Sequence, residues 1–456
     1  MKLQSIQALR GLAALLVVVY HTRTLELKGI AENGLTEPAF ISGLFTNGYA
    51  GVDLFFVISG FIMVFVTHGS PIGPRSASSF LFARATRIYP VWWVFAAIIT
   101  LYMFATQQVT GQSAVWDRAT QGIPVVPYLV KSFLLQPQPA LPVLNVGWTL
   151  IHEIYFYLMF TLFMLAPRRW LPVLLGIWAV IVVGGSLLGY LQPVPATWGS
   201  LVLHPMTLEF ILGATAGLAV TKGLVWRSGV LTLVATLWLL TALCYQGEET
   251  SFQLIWGRVF WFGLPSTLLV YGCAGLDVRQ RHGWLLPAFA AFLVTLALYQ
   301  MTGLNGYSPE AARRTGTLLT VAAGGIAMAA VLWSARLMER KAPDRLQQAR
   351  SASRRLMDVA VKLGDWSFSL YLCHLIILSA LRQVFGLLGQ VEPLAPVFRL
   401  GDPGALDNLA FAAASVPLCV IGAWVSYRWY ERPFTRFFGR LRASLFERDR
   451  MEPASA

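Results

Sequence analysis

Charge is scarce in this chain: Asp, Glu, Lys and Arg make up only 12% of its 456 residues, about half the share of an ordinary soluble protein. A water-facing globule is excluded on that ground. The four cysteines, Cys244, Cys273, Cys373 and Cys419, fall singly inside apolar stretches, so they offer neither metal spacing nor a disulfide framework. The six histidines lack the spacing of zinc ligands, and no metal is expected. No internal repeat is visible, which argues against a transporter built from duplicated halves. The N-terminus, with Lys2, Arg10 and an apolar run to Tyr20, is similar to a signal peptide. No small-x-small cleavage site follows it, so it reads as a retained first helix.

What the chain has instead is hydrophobic length. Apolar residues make up 56% of it, in runs near 20 residues long, each enough to cross a ~30 Å hydrocarbon layer as a helix. The spans are predicted at 8–24, 48–67, 88–106, 147–166, 171–191, 203–221, 229–245, 258–275, 284–301, 315–337, 367–387 and 406–429. The fold class is therefore all-α, a polytopic transmembrane helix bundle of about twelve spans. The net charge of +13 would suggest nucleic acid if it were clustered. With the N-terminus in the cytoplasm, however, 26 of the 35 Lys and Arg fall inside and 9 outside. That is the positive-inside pattern, so the basic excess orients the protein in a lipid bilayer and no nucleic-acid partner is expected. Residues 1–440 read as one membrane domain, 338–365 as a polar cytoplasmic linker and 441–456 as a cytoplasmic tail. The Pro- and Gln-rich loop at 107–146 is apolar enough at 123–135 for a short interfacial or re-entrant helix.

Ionisable groups inside spans are costly, and they mark functional candidates. His21 lies eleven residues beyond Arg10 on the first span, about 16 Å further along the axis, and suits a general base. Asp53, Glu153 and Glu209 enter their spans from the outer side, within ~10 Å of the boundary. A carboxylate beside His21 would fix its tautomer, and pairing with Arg23 or Arg258 is the structural alternative. Arg84 and Arg87, at i and i+3 on the inner end of the third span, suit a phosphate or simply anchor the span. His374 is expected ~10–12 Å in from the cytoplasmic boundary, whereas His152, His204 and His282 read as ordinary interfacial histidines.

Seven segments occur in order: "LRGLAALLVVVYH", "GVDLFFVISGF", "RATRIYP", "WTLIHEIYFY", "LEFILGA", "GDWSFSLYLCH" and "YRWYERPF". The series resembles the membrane acyltransferase-3 family, the bacterial O-acetylases of surface and exported carbohydrates, from Leu9 to about Phe434. The resemblance implies a ten-helix core in the bacterial inner membrane, with both termini cytoplasmic. It implies an acyl-CoA donor, usually acetyl-CoA, and a carbohydrate or glycolipid acceptor. By motif, Arg10, Arg84 and Arg87 are implicated in donor binding, and His21, Glu153 and Asp53 in catalysis, with His21 as general base and Glu153 or Asp53 orienting it. Trp148, Tyr371, His374 and Glu431 fall in motifs expected to support the acceptor or the structure. Ser59, Thr149 and Trp148 are candidates for an oxyanion contact. One departure is an inserted two-helix segment at 284–337, with its linker, which preserves the sidedness of everything downstream. The alternative from another class is a secondary transporter for an anionic or lipid-linked solute.

Overall fold

The computed structural model describes residues 3–37, 45–111, 114–188, 194–245, 255–279, 288, 291, 295, 310–341, 343–401, 403 and 405–446. These residues build a helix bundle without a β-strand. Its principal helices are α1 (Gln4–Glu32), α2 (Gly51–Thr67), α3 (Pro74–Thr110), α4 (Val125–Phe133), α5 (Gly147–Phe163), α6 (Leu171–Leu187) and α7 (Thr207–Thr221). They continue with α8 (Ser228–Tyr245), α9 (Leu264–Val278), α10 (Glu310–Lys341), α11 (Pro343–Asp365), α12 (Ser367–Leu388), α13 (Ala405–Ser426) and α14 (Arg432–Phe446).

Eleven of the twelve predicted spans coincide with helices, and the twelfth, 284–301, lies outside the described residues apart from three isolated positions. Among the described residues, seven helices are long and apolar enough to cross a membrane by themselves, and three more apolar helices are shorter. Large apolar side chains such as Leu101, Val180, Leu187, Ile326 and Ile421 point away from the bundle. In water such a surface would drive aggregation, and in lipid it matches its solvent. The interior combines a packed apolar core, with Trp92, Phe61, Phe156 and Phe210 fully buried, and polar side chains including Asp53, Glu209, Arg258, His152 and His374.

Small residues set the closest helix contacts, as expected where lipid gives no hydrophobic reason for helices to associate. A Cβ on Gly60 of α2 would meet the Phe210 carbonyl oxygen of α7 at 2.0 Å, and one on Gly213 of α7 would meet the Val57 carbonyl oxygen at 2.0 Å. The two backbones therefore touch reciprocally. Residues 343–365, predicted as a polar linker, are instead the helix α11, whose C-terminal end packs on the first turns of α1. Gly364 lies against the backbone of Gln7, and the Gln7 amide donates to Asp365 Oδ1 at 2.7 Å. The apolar 123–135 stretch forms α4, as its composition suggested.

Candidate functional site

Three segments determine where the site lies. The first is the contact of Gly11 with the Leu363–Gly364 backbone. His21 lies ten residues beyond Gly11 and His374 ten beyond Gly364, so each sits about 15 Å further along its helical path. The two imidazoles consequently meet. His374 Nε2 is 3.2 Å from His21 Nδ1, with ring centroids 4.9 Å apart and planes at 53°. His21 Nδ1 is 3.0 Å from the Val17 carbonyl oxygen, and His374 Nδ1 is 3.1 Å from that of Leu370. His374 is fully buried, whereas His21 is only partly so.

The second segment is the start of α5. Gly147 abuts the Trp92 ring of α3, which places the first turn of α5 within the bundle and not at its outer rim. Six residues along α5 and five residues back along α3 are distances of about 9 and 8 Å. Glu153 is therefore level with Arg87 and Arg84, which the sequence assigned to the opposite, inner half. Its carboxylate accepts from Ser59 Oγ at 3.1 Å and from the Tyr157 hydroxyl. It has no hydrogen bond to His21, so the expectation that Glu153 orients His21 is corrected by this register.

The third is α2, where Asp53 also stays away from His21. Its two oxygens accept from Arg258 Nε at 3.0 Å and Nη2 at 2.6 Å, in a fork with both side chains buried. A charge this deep requires a counter-charge, and Arg258 supplies it. Arg258 also lies over the Tyr49 ring, 4.9 Å from its centroid, and 6.0 Å from that of Trp148. Glu209 sits in the same buried region, against Gly263.

The side chains predicted for donor binding come together. Arg10, Arg84, Arg87, Glu153, Ser59, Thr149, Tyr157 and Tyr371 line one narrow cavity of about 80 Å³. Glu431 stands behind it, accepting from Ser369 Oγ at 2.7 Å and interacting electrostatically with Arg87 and Arg10. Three guanidiniums against two carboxylates leave net positive charge. Among the described residues Arg84 and Arg87 make no salt bridge, and although Arg84 interacts with the Tyr157 hydroxyl its Nε has no hydrogen-bond partner, which leaves room for an anionic guest. At Arg84, which lines both, the cavity adjoins a wider vestibule lined also by Arg75, Arg442 and Phe446. At the other end Tyr371 donates to the Val146 carbonyl oxygen at 3.1 Å and shares a 2.8 Å hydrogen bond with Thr149. The Tyr371 ring lies 6.0 Å from that of His374, so the imidazole pair begins where the cationic cavity ends.

Sequence reasoning did not single out Tyr157, Arg75 or Arg442. Tyr157 follows Glu153 by one helical turn, a spacing that could have flagged it. Arg442 lies on α14, in a strongly amphipathic segment. His152 and His204, expected as ordinary interfacial residues, are both buried with ring centroids 4.7 Å apart. His282 lies outside the described residues.

A buried cationic cavity beside an imidazole pair, inside a bundle of apolar helices long enough to span a bilayer, describes an integral membrane protein. The sequence model of family Acyl_transf_3, described as an acyltransferase domain, matches residues 3–282 and 276–428, and the chain belongs to that acyltransferase family. Over 186 residues the chain is 32% identical to the exopolysaccharide production protein ExoZ of Rhizobium meliloti (strain 1021). That match covers 39% of this chain and about half, 53%, of the relative's length. Over 459 residues it is 24% identical to the acyltransferase MdmB of Streptomyces mycarofaciens, covering 97% of this chain and 94% of the relative. No solved structure matches.

Proposed function

We propose that this acyltransferase moves an acyl group, acetyl in the simplest case, from acyl-CoA to a hydroxyl of a carbohydrate or glycolipid. The observation that carries the reading is the arginine-lined cavity that reaches Tyr371, whose ring lies 6.0 Å from that of His374 in the imidazole pair. On this reading Arg75 and Arg442 receive the nucleotide end of the donor in the vestibule, and Arg84, Arg87 and Arg10 hold its phosphates. Guanidiniums suit phosphate because their planar forks give paired, charge-assisted hydrogen bonds. The pantetheine arm is narrow and uncharged, as the cavity beyond Glu153 requires, and it carries the thioester toward Tyr371.

His21 is the base. It is the more accessible imidazole of the pair, and among the described residues its Nε2 has no hydrogen-bond partner. The acceptor's O–H proton passes to His21 Nε2 as the oxygen attacks the thioester carbonyl. The tetrahedral intermediate expels the coenzyme A thiolate, which takes the proton back from the imidazolium. The hydroxyls of Thr149 and Tyr371, bonded to each other and to the Val146 carbonyl oxygen in the resting state, lie nearest for the developing oxyanion, and one must turn from that oxygen to donate to it. The likeness to an exopolysaccharide production protein supports a carbohydrate acceptor, and the basic asymmetry supports an inner-membrane position with both termini cytoplasmic.

The experiment is to reconstitute purified protein in lipid vesicles with acetyl-CoA labelled in the acetyl group. Label transferred to an added envelope glycan fraction, located by mass spectrometry, supports the reading. Solute accumulation in the vesicles without acyl-CoA, and no label transfer, would point to transport instead.

A further inference from the structure

The hydrogen-bond pattern of the two imidazoles determines where their protons are. A carbonyl oxygen accepts only, so the nitrogen facing it must carry hydrogen. His21 Nδ1, 3.0 Å from the Val17 oxygen, is therefore N–H, and so is His374 Nδ1, 3.1 Å from the Leu370 oxygen. Both oxygens belong to residues four positions earlier on the same helix, so each ring is tied to its own backbone. A neutral His374 then has a bare Nε2, and that atom lies 3.2 Å from His21 Nδ1–H. The direction of the bond follows: His21 donates and His374 accepts. His21 Nε2 is left bare and unbonded. Among the described residues no carboxylate bonds either ring: Asp53 is held by Arg258, and Glu153 by Ser59 and Tyr157.

From this we infer that His374 is the positioning residue of the reaction, taking the place that a carboxylate holds in a Ser-His-Asp triad. The inference rests on the reading of His21 as base. In the resting state the His21 Nδ1 proton is shared between the Val17 oxygen and His374 Nε2, which fixes the ring with Nε2 toward the acceptor. When Nε2 takes the hydroxyl proton, the charge of the resulting imidazolium spreads along Nδ1–H to His374 Nε2. The proton leaves from Nε2 to the thiolate, so the pair ends the cycle in its starting state, with no proton gained or lost. Since His374 is wholly buried, it acts through His21 and does not meet substrate.

Three variants test this: His374→Leu, His374→Gln and His21→Ala. Donor binding, measured by calorimetry, serves as the check that each variant is folded. His374→Leu removes the acceptor at similar bulk and should lower kcat roughly 10- to 150-fold, the range of a lost hydrogen bond to a charged group, with KM for the donor unchanged. His374→Gln presents Oε1 near the position of Nε2 and should recover most of that loss. In the wild-type protein, nitrogen-15 NMR should show scalar coupling across the hydrogen bond between His21 Nδ1 and His374 Nε2. A His374→Leu protein that binds donor and turns over normally overturns the inference. So does a Gln variant as slow as Leu, or absence of the coupling. If His21→Ala also turns over normally, the reading of His21 as base fails with it. If His21→Ala is inactive while His374→Leu is normal, only the role of His374 fails.

Discussion

Arg258→Leu tests the role that the structure gives Asp53. The wild-type pair is bidentate, at 3.0 and 2.6 Å, with side-chain exposures of 3% for Arg258 and 0% for Asp53. Removing the guanidinium leaves a carboxylate with neither counter-charge nor water. Breaking a buried pair from one side costs about 3–5 kcal/mol, and Glu209, buried beside Asp53, is a second acidic group that loses its interaction with Arg258. Asp53→Leu alone should destabilise as well, by removing the bidentate acceptor of Arg258. Replacing both, Asp53→Leu with Arg258→Met, removes the two charges together, and such exchanges are often neutral or stabilising. The double variant should therefore regain most of the stability that either single loses. The assay is thermal unfolding in detergent micelles followed by tryptophan fluorescence, with acyl transfer measured on the same preparations. If Asp53 only balances Arg258, the double variant also keeps its transfer activity. A double variant with wild-type stability and no turnover would refute that and return Asp53 to the chemistry. Single variants as stable as the wild type would refute the energetic argument itself.

Arg84→Ala and Arg87→Ala should each weaken donor binding roughly 10- to 150-fold, the equivalent of ~1.5–3 kcal/mol for a charge-assisted hydrogen bond, as read by calorimetry with a non-hydrolysable acyl-CoA. Lysine at either position should restore binding only in part because it lacks the planar fork. Gly213→Val should separate α2 from α7, because its Cβ would meet the Val57 carbonyl oxygen at 2.0 Å, and the loss of thermal stability should far exceed that of Gly176→Val, whose Cβ meets nothing within 4 Å.

Helix existence was legible in the sequence because membrane spans announce themselves by length and apolarity, and eleven of the predicted segments are helices. Depth was not legible. The Glu153 assignment assumed that α5 begins at the outer boundary, whereas Gly147 starts it against the ring of Trp92, midway along α3. Nothing local in "WTLIHEIYFY" reports that offset. The meeting of His21 with His374 was equally hidden, because it depends on a glycine contact between α1 and α11, and α11 read as linker. The candidate residues were found as chemical types inside spans, while their partnerships came from helix register. Asp53 shows the difference: Arg258 was visible as a possible counter-charge, but a choice between Arg258 and His21 needed the packing of α2 against the π-helical turn Val259–Gly263 that follows Arg258.

The most direct test of the account separates binding from chemistry at His21. Wild-type and His21→Ala proteins, in identical lipid vesicles, are given acetyl-CoA and a carbohydrate acceptor. Donor affinity and single-turnover transfer are then measured across the pH range. The account predicts unchanged donor affinity and a transfer rate lowered by 10²–10⁴, the usual cost of losing a positioned acid–base group. The wild-type rate should fall toward acid pH, since a protonated imidazole cannot accept the hydroxyl proton, and the variant should lose that acid limb. Transfer by His21→Ala at near wild-type rate, with the acid limb intact, would contradict the account.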